Sequence, residues 1–344
     1  MRWDTLDWDV LDWTWALAVG RRERLLPLWC VTLQQLGRLS TIPADVRHAL
    51  QHAYYATLAV NTFALEEAAH LSALLETQGV SVVVLKGAAL LATVYPTRGA
   101  RPLGDIDLWV RERDAPQAEA LLRASGYASL LHQTVRGPQR FLTERTFLRQ
   151  TPPRLQVDLH TAPFARPAMH SPILAAWLWA HTLMAPTAYG PLRVFDAAAQ
   201  FVHLCLHAIQ HDVGRRAPLR LHDLALVMAD ARLDWRAVGA IAQAARITPA
   251  LQQAVQATTA AWGVAPPSDL TWPHTFWRDR LRCALLASER RAIRWLVDGW
   301  DLQDPVSMLA LWFAVLWPAP AYRAWRAAVR SRGNIRSTKR GGGF

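Results

Sequence analysis

The stretch Gly104-Asp105-Ile106-Asp107-Leu108-Trp109-Val110 sets two carboxylates two residues apart in an otherwise apolar run. Successive strand side chains alternate faces, so a strand here turns Asp105 and Asp107 to one side and Ile106 and Leu108 into a core. Two like charges side by side repel. A divalent cation removes that penalty, because carboxylate oxygens are the ligands that hard cations take. The plainer reading is a pair of solvated residues on an edge strand.

The flanking sequence favours the cation. Upstream, Val82-Val83-Val84-Leu85-Lys86-Gly87-Ala88-Ala89-Leu90 is a β-branched run broken at Lys86-Gly87 and followed by helix formers. It reads as strand, turn, helix. Glycine at such a turn lets the backbone approach a ligand, and the N–H groups of the helix start suit phosphate. Lys86 sits at the turn, and all but two of the 38 basic residues are arginine, the second lysine being Lys339. An ordinary strand-end lysine is the alternative. Downstream, Arg154-Leu155-Gln156-Val157-Asp158-Leu159-His160 alternates, with Gln156, Asp158 and His160 on one face. Asp158 thus offers a third carboxylate, unless it pairs with Arg98, Arg101 or Arg154. Three aspartates beside a glycine turn form the set that two-metal nucleotidyl transfer needs. The metals bridge a triphosphate and stabilise the attacking and leaving oxygens.

The ordered set of Leu85-Lys86-Gly87, Tyr95, Arg98, Arg101, the Gly104–Val110 run, Gly126-Tyr127 and Val157-Asp158-Leu159-His160 resembles the uncharacterised nucleotidyltransferase family of the DNA polymerase β-like superfamily. The resemblance runs from about Leu71 to Pro267 and continues more weakly beyond. It implies an α+β fold, with a small mixed β-sheet nucleotidyltransferase core, flanking helices and a following helical domain. It also implies that Asp105 and Asp107 hold two magnesium ions, while Asp158 holds the catalytic one and helps deprotonate the acceptor hydroxyl. The superfamily usually has Gly-Ser at the turn, and this chain has Gly87-Ala88. Lys86 is placed to replace the lost hydroxyl contact to phosphate. Arg98 and Arg101 read either as phosphate clamps or as loop charges. The family's helical segment matches His207, His211, Arg220 and Asp223, which by resemblance line the cleft and contact nucleotide or acceptor. His160 joins the expected nucleotide-binding set.

The expected reaction is transfer of AMP from ATP to a hydroxyl or phosphate on a small molecule, peptide or protein, releasing pyrophosphate. A non-catalytic nucleotide-binding module, with Ala88 marking lost chemistry, is the alternative. A rival enzyme class comes from His203, His207, His211-Asp212 and His222-Asp223. Histidines four apart share a helical face and suggest an HD-type metal phosphohydrolase. The irregular spacing of the His-Asp pairs counts against it.

Composition bounds the remainder. The chain has 344 residues, 52% hydrophobic and 19% charged, and is long enough for two well-buried units. Three scattered cysteines, Cys30, Cys205 and Cys283, argue for a reducing compartment, and the acidic first dozen residues are unlike a signal peptide. The longest apolar stretch, Val306 to Ala319, is too short to span a bilayer, so a cytoplasmic protein is expected. The net charge of +11 is partly local to the basic, glycine-rich segment Arg330–Gly343, so a nucleic-acid acceptor is possible but not favoured. Helical periodicity fills 44–78, 114–125 and segments at about 197–211, 219–230, 235–246, 249–262, 275–298 and 305–317. Strands are expected only between about Val80 and Ala162. The resulting division is a helical lead-in at 1–75, a nucleotidyltransferase core at 76–190, a helical domain at 191–329 and a basic disordered tail at 330–344. The opening Trp-Asp repeat of period five, Trp3 to Trp15, fits neither helix nor strand and reads as packing residues or a docking arm.

Overall fold

The computed structural model describes residues 8, 10–130, 143–164, 169–211, 217–288, 293, 297, 305–317 and 320. Most of the Trp-Asp repeat, Asp212, the second half of the expected 275–298 helix and the 330–344 segment lie outside the described residues.

A five-stranded mixed sheet has the order β1-β2-β5-β4-β3. Strand β1 (Val82–Leu85) runs antiparallel to β2 (Ile106–Val110), and β2 runs parallel to β5 (Gln156–His160). Strand β4 (Glu144–Arg149) is antiparallel to both β5 and β3 (Tyr127–Ser129). Every residue of β1 and β2 is buried. A sheet centre covered on both faces has no solvent side, so an aspartate there stands out against its surroundings.

Helices α1 (Trp13–Arg22), α2 (Leu26–Gln35) and α3 (Ala44–Thr77) precede the sheet. Helix α4 (Lys86–Thr93) leaves β1 directly, and α5 (Ala115–Ala124) lies between β2 and β3, ending before Gly126 at φ +85°. Glycine reaches that left-handed conformation without a Cβ clash. Helix α6 (Pro172–Ala180) follows the sheet and is capped by Ser171, whose hydroxyl accepts from the Leu174 amide. Then come α7 (Ala197–His211), α8 (Pro218–Met228), α9 (Trp235–Ala244), α10 (Thr248–Trp262), α11 (Trp277–Leu286) and α12 (Pro305–Leu316). The Asp234 side chain caps α9 by accepting from the Arg236 and Ala237 amides.

The strands are not confined to 80–162. Thr182–Ala185 (β6) and Leu192–Phe195 (β7) form an antiparallel hairpin with Leu183 opposite Val194. Four-residue strands carry too few alternations to register as a period, and β6 follows the apolar helix α6 after a single residue, His181. The hairpin covers the sheet: Phe195 of β7 lies edge-on to Trp109 of β2, ring centroids 5.9 Å apart.

One buried cluster runs from Ala64 to Ala287 and joins the sheet to α7–α10. A smaller cluster holds α1–α3 together around Leu33, Val46 and Leu50. Among the described residues no helix is long and apolar enough to cross a membrane.

Candidate functional site

The pairing of β2 with β5 sets Asp107 directly beside Asp158, and Trp109 beside His160. Neighbouring residues in register on parallel strands project to the same face, so two carboxylates from distant parts of the sequence meet. Asp105 precedes β2 rather than lying in it, yet it faces the same cleft. The β4–β5 pairing adds a fourth carboxylate by placing Glu144 opposite His160. Asp105, Asp107, Glu144 and Asp158 all line one cleft of about 440 Å³, a size that suits a nucleotide-like ligand.

The opposite walls are basic. Arg22 ends α1, Arg24 comes from the turn between α1 and α2, Arg101 from the loop before β2, His207 from α7 and Arg220 from α8. The lead-in helices therefore contribute to the site, a role that no spacing in residues 1–75 suggested. Arg24, at φ +61°, donates to the Leu103 carbonyl at 3.1 Å and so ties that turn to the loop carrying Asp105.

Asp107 Oδ1 accepts from Lys86 Nζ at 2.6 Å and from His160 Nε2 at 2.9 Å. Burial pushes this carboxyl up, but the Lys86 ammonium and the His160 hydrogen bond outweigh it and hold Asp107 well below the usual carboxylate range. An ionised carboxylate only accepts, so His160 carries its hydrogen on Nε2. Asp105 shifts upward, through burial and then repulsion from Asp107. Asp158 is pushed up to about 7, by burial and by Glu144 and Asp107, although Gln156 Nε2 lies 3.1 Å from each of its oxygens.

This donor chemistry fits hard divalent cations. Six carboxylates line the cleft, Glu23 and Asp223 among them, and Asp105 and Asp158 resist ionisation through burial first and their negative neighbours second. The arrangement is not yet a coordination sphere, since among the described residues no three Asp, Glu, His or Cys side chains converge on a common point. Lys86 and His160 both hold Oδ1 of Asp107 instead. His160 Nδ1 is buried with no hydrogen-bond partner, 3.8 Å from Glu144 Oε2.

Several expected residues serve other purposes. Lys86 was expected on phosphate and is on Asp107. It sits at φ +51°, a left-handed conformation that a side-chain-bearing residue holds only at a cost. Gly87 lines the cleft, but its missing side chain also makes room for protein: a Cβ there would lie 2.4 Å from Arg101 Nη1 and 2.5 Å from Leu103 Cδ2. Arg101 is committed to Asp223, with Nε to Oδ1 and Nη2 to Oδ2 both at 2.8 Å, and Tyr95 donates its hydroxyl to the same carboxylate at 2.7 Å. Arg98 does not line the cleft; its guanidinium donates to the Tyr189 hydroxyl at 2.6 Å and lies over that ring. His160 is 1% exposed and reaches the cleft only through Asp107. His207 lines the cleft as expected.

Among the described residues the hydrolase pattern does not assemble. His203 is buried with Nε2 on the Pro163 carbonyl at 3.0 Å, Asp223 is taken by Arg101, and the side chain of His211 lies outside the described set. Glu144 escaped the sequence reading because only the β4–β5 register tells which residues of Glu144-Arg145-Thr146 share a face with Asp158. The alternation around it was the available signal, but the pairing partner was not.

No curated protein matches the chain. A solved structure, an antigenic nucleotidyltransferase-like protein from Paracoccidioides brasiliensis, is similar at 14% identity over 59% of this chain and 98% of that one, with a TM-score of 0.38. That likeness is too loose to support any statement about the site. The sequence profile described as "Uncharacterised nucleotidyltransferase" matches residues 9–263. The matched span takes in Asp105, Asp107, Glu144 and Asp158 and the basic residues that line the cleft. The chain belongs to the uncharacterised nucleotidyltransferase family.

Proposed function

We propose that the chain is a magnesium-dependent nucleotidyltransferase that moves AMP from ATP to a hydroxyl or phosphate on an acceptor and releases pyrophosphate. The observation that carries this reading is the in-register pair Asp107 and Asp158, joined by Asp105 on one cleft and faced by arginines. Asp105, Asp107 and Asp158 would hold the cations. Bound there, two magnesium ions supply charge stabilisation for the attacking and leaving oxygens. The chain's own residues set up the rest. Lys86 keeps Asp107 ionised, and His160 on the neighbouring strand orients it through a hydrogen bond to Oδ1. Asp158, beside the cations it would help to hold, is placed to accept a proton from an attacking hydroxyl. Arg24 and Arg220 line the cleft where a triphosphate needs positive charge, and Arg22 joins them in a pair with Glu23. The three buried or half-buried thiols, none in a disulfide, accord with a cytoplasmic setting.

A second reading rests on Ala88, which is 1% exposed in the core and offers the cleft no hydroxyl. The protein would then bind nucleotide without turning it over. Pyrophosphate release from each nucleoside triphosphate, with magnesium and broad acceptor pools, separates the two. The transferase reading expects release that falls by on the order of 10³-fold or more in Asp105→Asn, Asp107→Asn and Asp158→Asn. Tight magnesium-dependent ATP binding with no release in any pool would leave only the binding module.

A further inference from the structure

A second cavity, of about 160 Å³, lies apart from the cleft. It is bounded by the ends of α4 and α8, the β6–β7 hairpin and the starts of α7 and α9. Helices α4, α7 and α8 contribute to both hollows, yet no residue lines the two of them. Much of the wall is carbon, from Val94, Leu183, Phe195, Ala198 and Val227. A dry engineered cavity of roughly 150 Å³ takes benzene, so the space suits a ligand of about six non-hydrogen atoms.

The polar groups on the wall decide the kind of ligand. A helix start by itself invites an anion, and two helix starts meet here. Each is already occupied by an aspartate of the chain. Asp196 Oδ1 accepts from the Ala199 amide at 2.9 Å, and Asp234 Oδ1 accepts from the Arg236 and Ala237 amides at 2.9 and 3.1 Å. The charged neighbours are paired as well. Asp196 Oδ2 lies 2.8 Å from His181 Nδ1, and Asp230 takes Nε and Nη2 of Arg232 at 3.0 and 2.7 Å.

What remains is acceptor capacity. Among the described residues nothing donates to Asp234 Oδ2. Gln200 is 5% exposed, and its amide makes one long contact, Nε2 to Thr93 Oγ1 at 3.4 Å. Its Oε1 receives no donor from the described residues. A buried amide carbonyl left without a donor costs free energy, which a ligand N–H recovers. Phe195, 3% exposed, adds an aromatic ring, whose face attracts a cation. Three carboxylates on the wall stand against one guanidinium, so a carboxylate or phosphate ligand is repelled.

We propose that this cavity binds a small free organic amine, its ammonium donating to Gln200 Oε1 in the field of Asp234 and its short apolar body packing on Phe195, Leu183 and Val227. The site shares no residue with the cleft, so it stands or falls independently of the transfer reaction.

The test is ligand-observed NMR titration of the full chain at neutral pH with n-butylamine, 1-butanol and butyrate. Expected is saturable binding of the amine, roughly fivefold or more tighter than the alcohol, and none of the carboxylate. Gln200→Leu and Asp234→Asn each weaken the amine by roughly fivefold or more, the asparagine preserving the cap on α9. Ala237→Leu, which fills the cavity from α9, abolishes binding. Thermal melting that matches the parent shows which variants are folded. No saturable binding, an alcohol or carboxylate bound as well as the amine, or undiminished binding in the folded variants overturns the proposal. So does loss of the amine in Asp105→Asn together with full binding in Ala237→Leu, which would place the ligand among the carboxylates of the cleft.

Discussion

Lys86 does two things that are hard to reconcile in an ordinary strand-end residue. It adopts a left-handed backbone conformation, and it brings its ammonium within 2.6 Å of a buried carboxylate of the cleft, Asp107. Burial pulls its pKa down, but Asp107 and Glu144 more than offset that, so the net shift is upward and the charge is retained. The amine thus stands where a cation is wanted. Deleting it with Lys86→Met should tighten divalent-cation binding by roughly tenfold or more, because a competing positive charge leaves Asp107. Calorimetric titration of Mn²⁺ into the parent and the variant measures this. Unchanged or weaker binding would show that Lys86 is a support for the site rather than a competitor. The lysine itself was legible in the sequence, as the one departure from arginine beside a glycine turn. Its partner was not, because whether a terminal amine reaches phosphate or carboxylate depends on a distance that spacing does not encode.

The loop between α4 and β2 is fixed from several directions, and each tether belongs to a different element. Asn61, buried in α3, donates to the carbonyls of Arg98 and Arg101 and accepts from the Leu103 amide. Arg101 reaches α8 through its two-pronged pair with Asp223, which is 1% exposed. A buried charge pair broken on one side leaves the other charge stranded, so Arg101→Met or Asp223→Asn should cost about 3–5 kcal/mol. Denaturant unfolding measures the loss. The double substitution to apolar residues should recover part of it, and equal costs for single and double variants would refute the coupling. These elements were read unevenly from sequence. The helices α3, α5 and α7–α10 announced themselves through long periods, and β2 and β5 through clean alternation. The hairpin β6–β7 was too short to show a period. Asn61 carries no signal at all, since a lone asparagine in a helix is indistinguishable from a solvated one until its burial is known.

Sheet and helices share one core, so buried titratable groups in the helical half weigh on the stability of the whole. His203 is shifted down to about 3, by burial and then by Lys86, and His222 down to about 4, chiefly by burial. Lys86, His160 and Asp107 surround the first electrostatically; Asp223 and Arg101 flank the second. Both histidines are neutral in the folded protein at pH values where the unfolded chain, with histidine near 6.5, is protonated. The unfolded state therefore binds more protons below about pH 6.5, and stability is present above that value and lost as pH falls toward 4. Each histidine contributes a slope of about 1.4 kcal/mol per pH unit once the unfolded state is fully protonated. Guanidinium unfolding between pH 7 and 4.5 should show this decline, reduced by one histidine's share in His222→Gln. A flat profile would mean that these side chains take up protons without unfolding.

A chain whose basic side chains are arginine at all but two positions offers amine reagents very few lysines, and one of the two is clamped inside the cleft. Acylation followed by peptide mapping thereby becomes a reporter of site occupancy. Lys86 should react slowly in the resting protein, where its ammonium is held by Asp107, while Lys339 supplies an internal reference. If divalent cations take over Asp107, the amine is released and its labelling quickens unless a bound triphosphate claims it next. One lysine would then distinguish three states of the cleft by the rate at which it is modified.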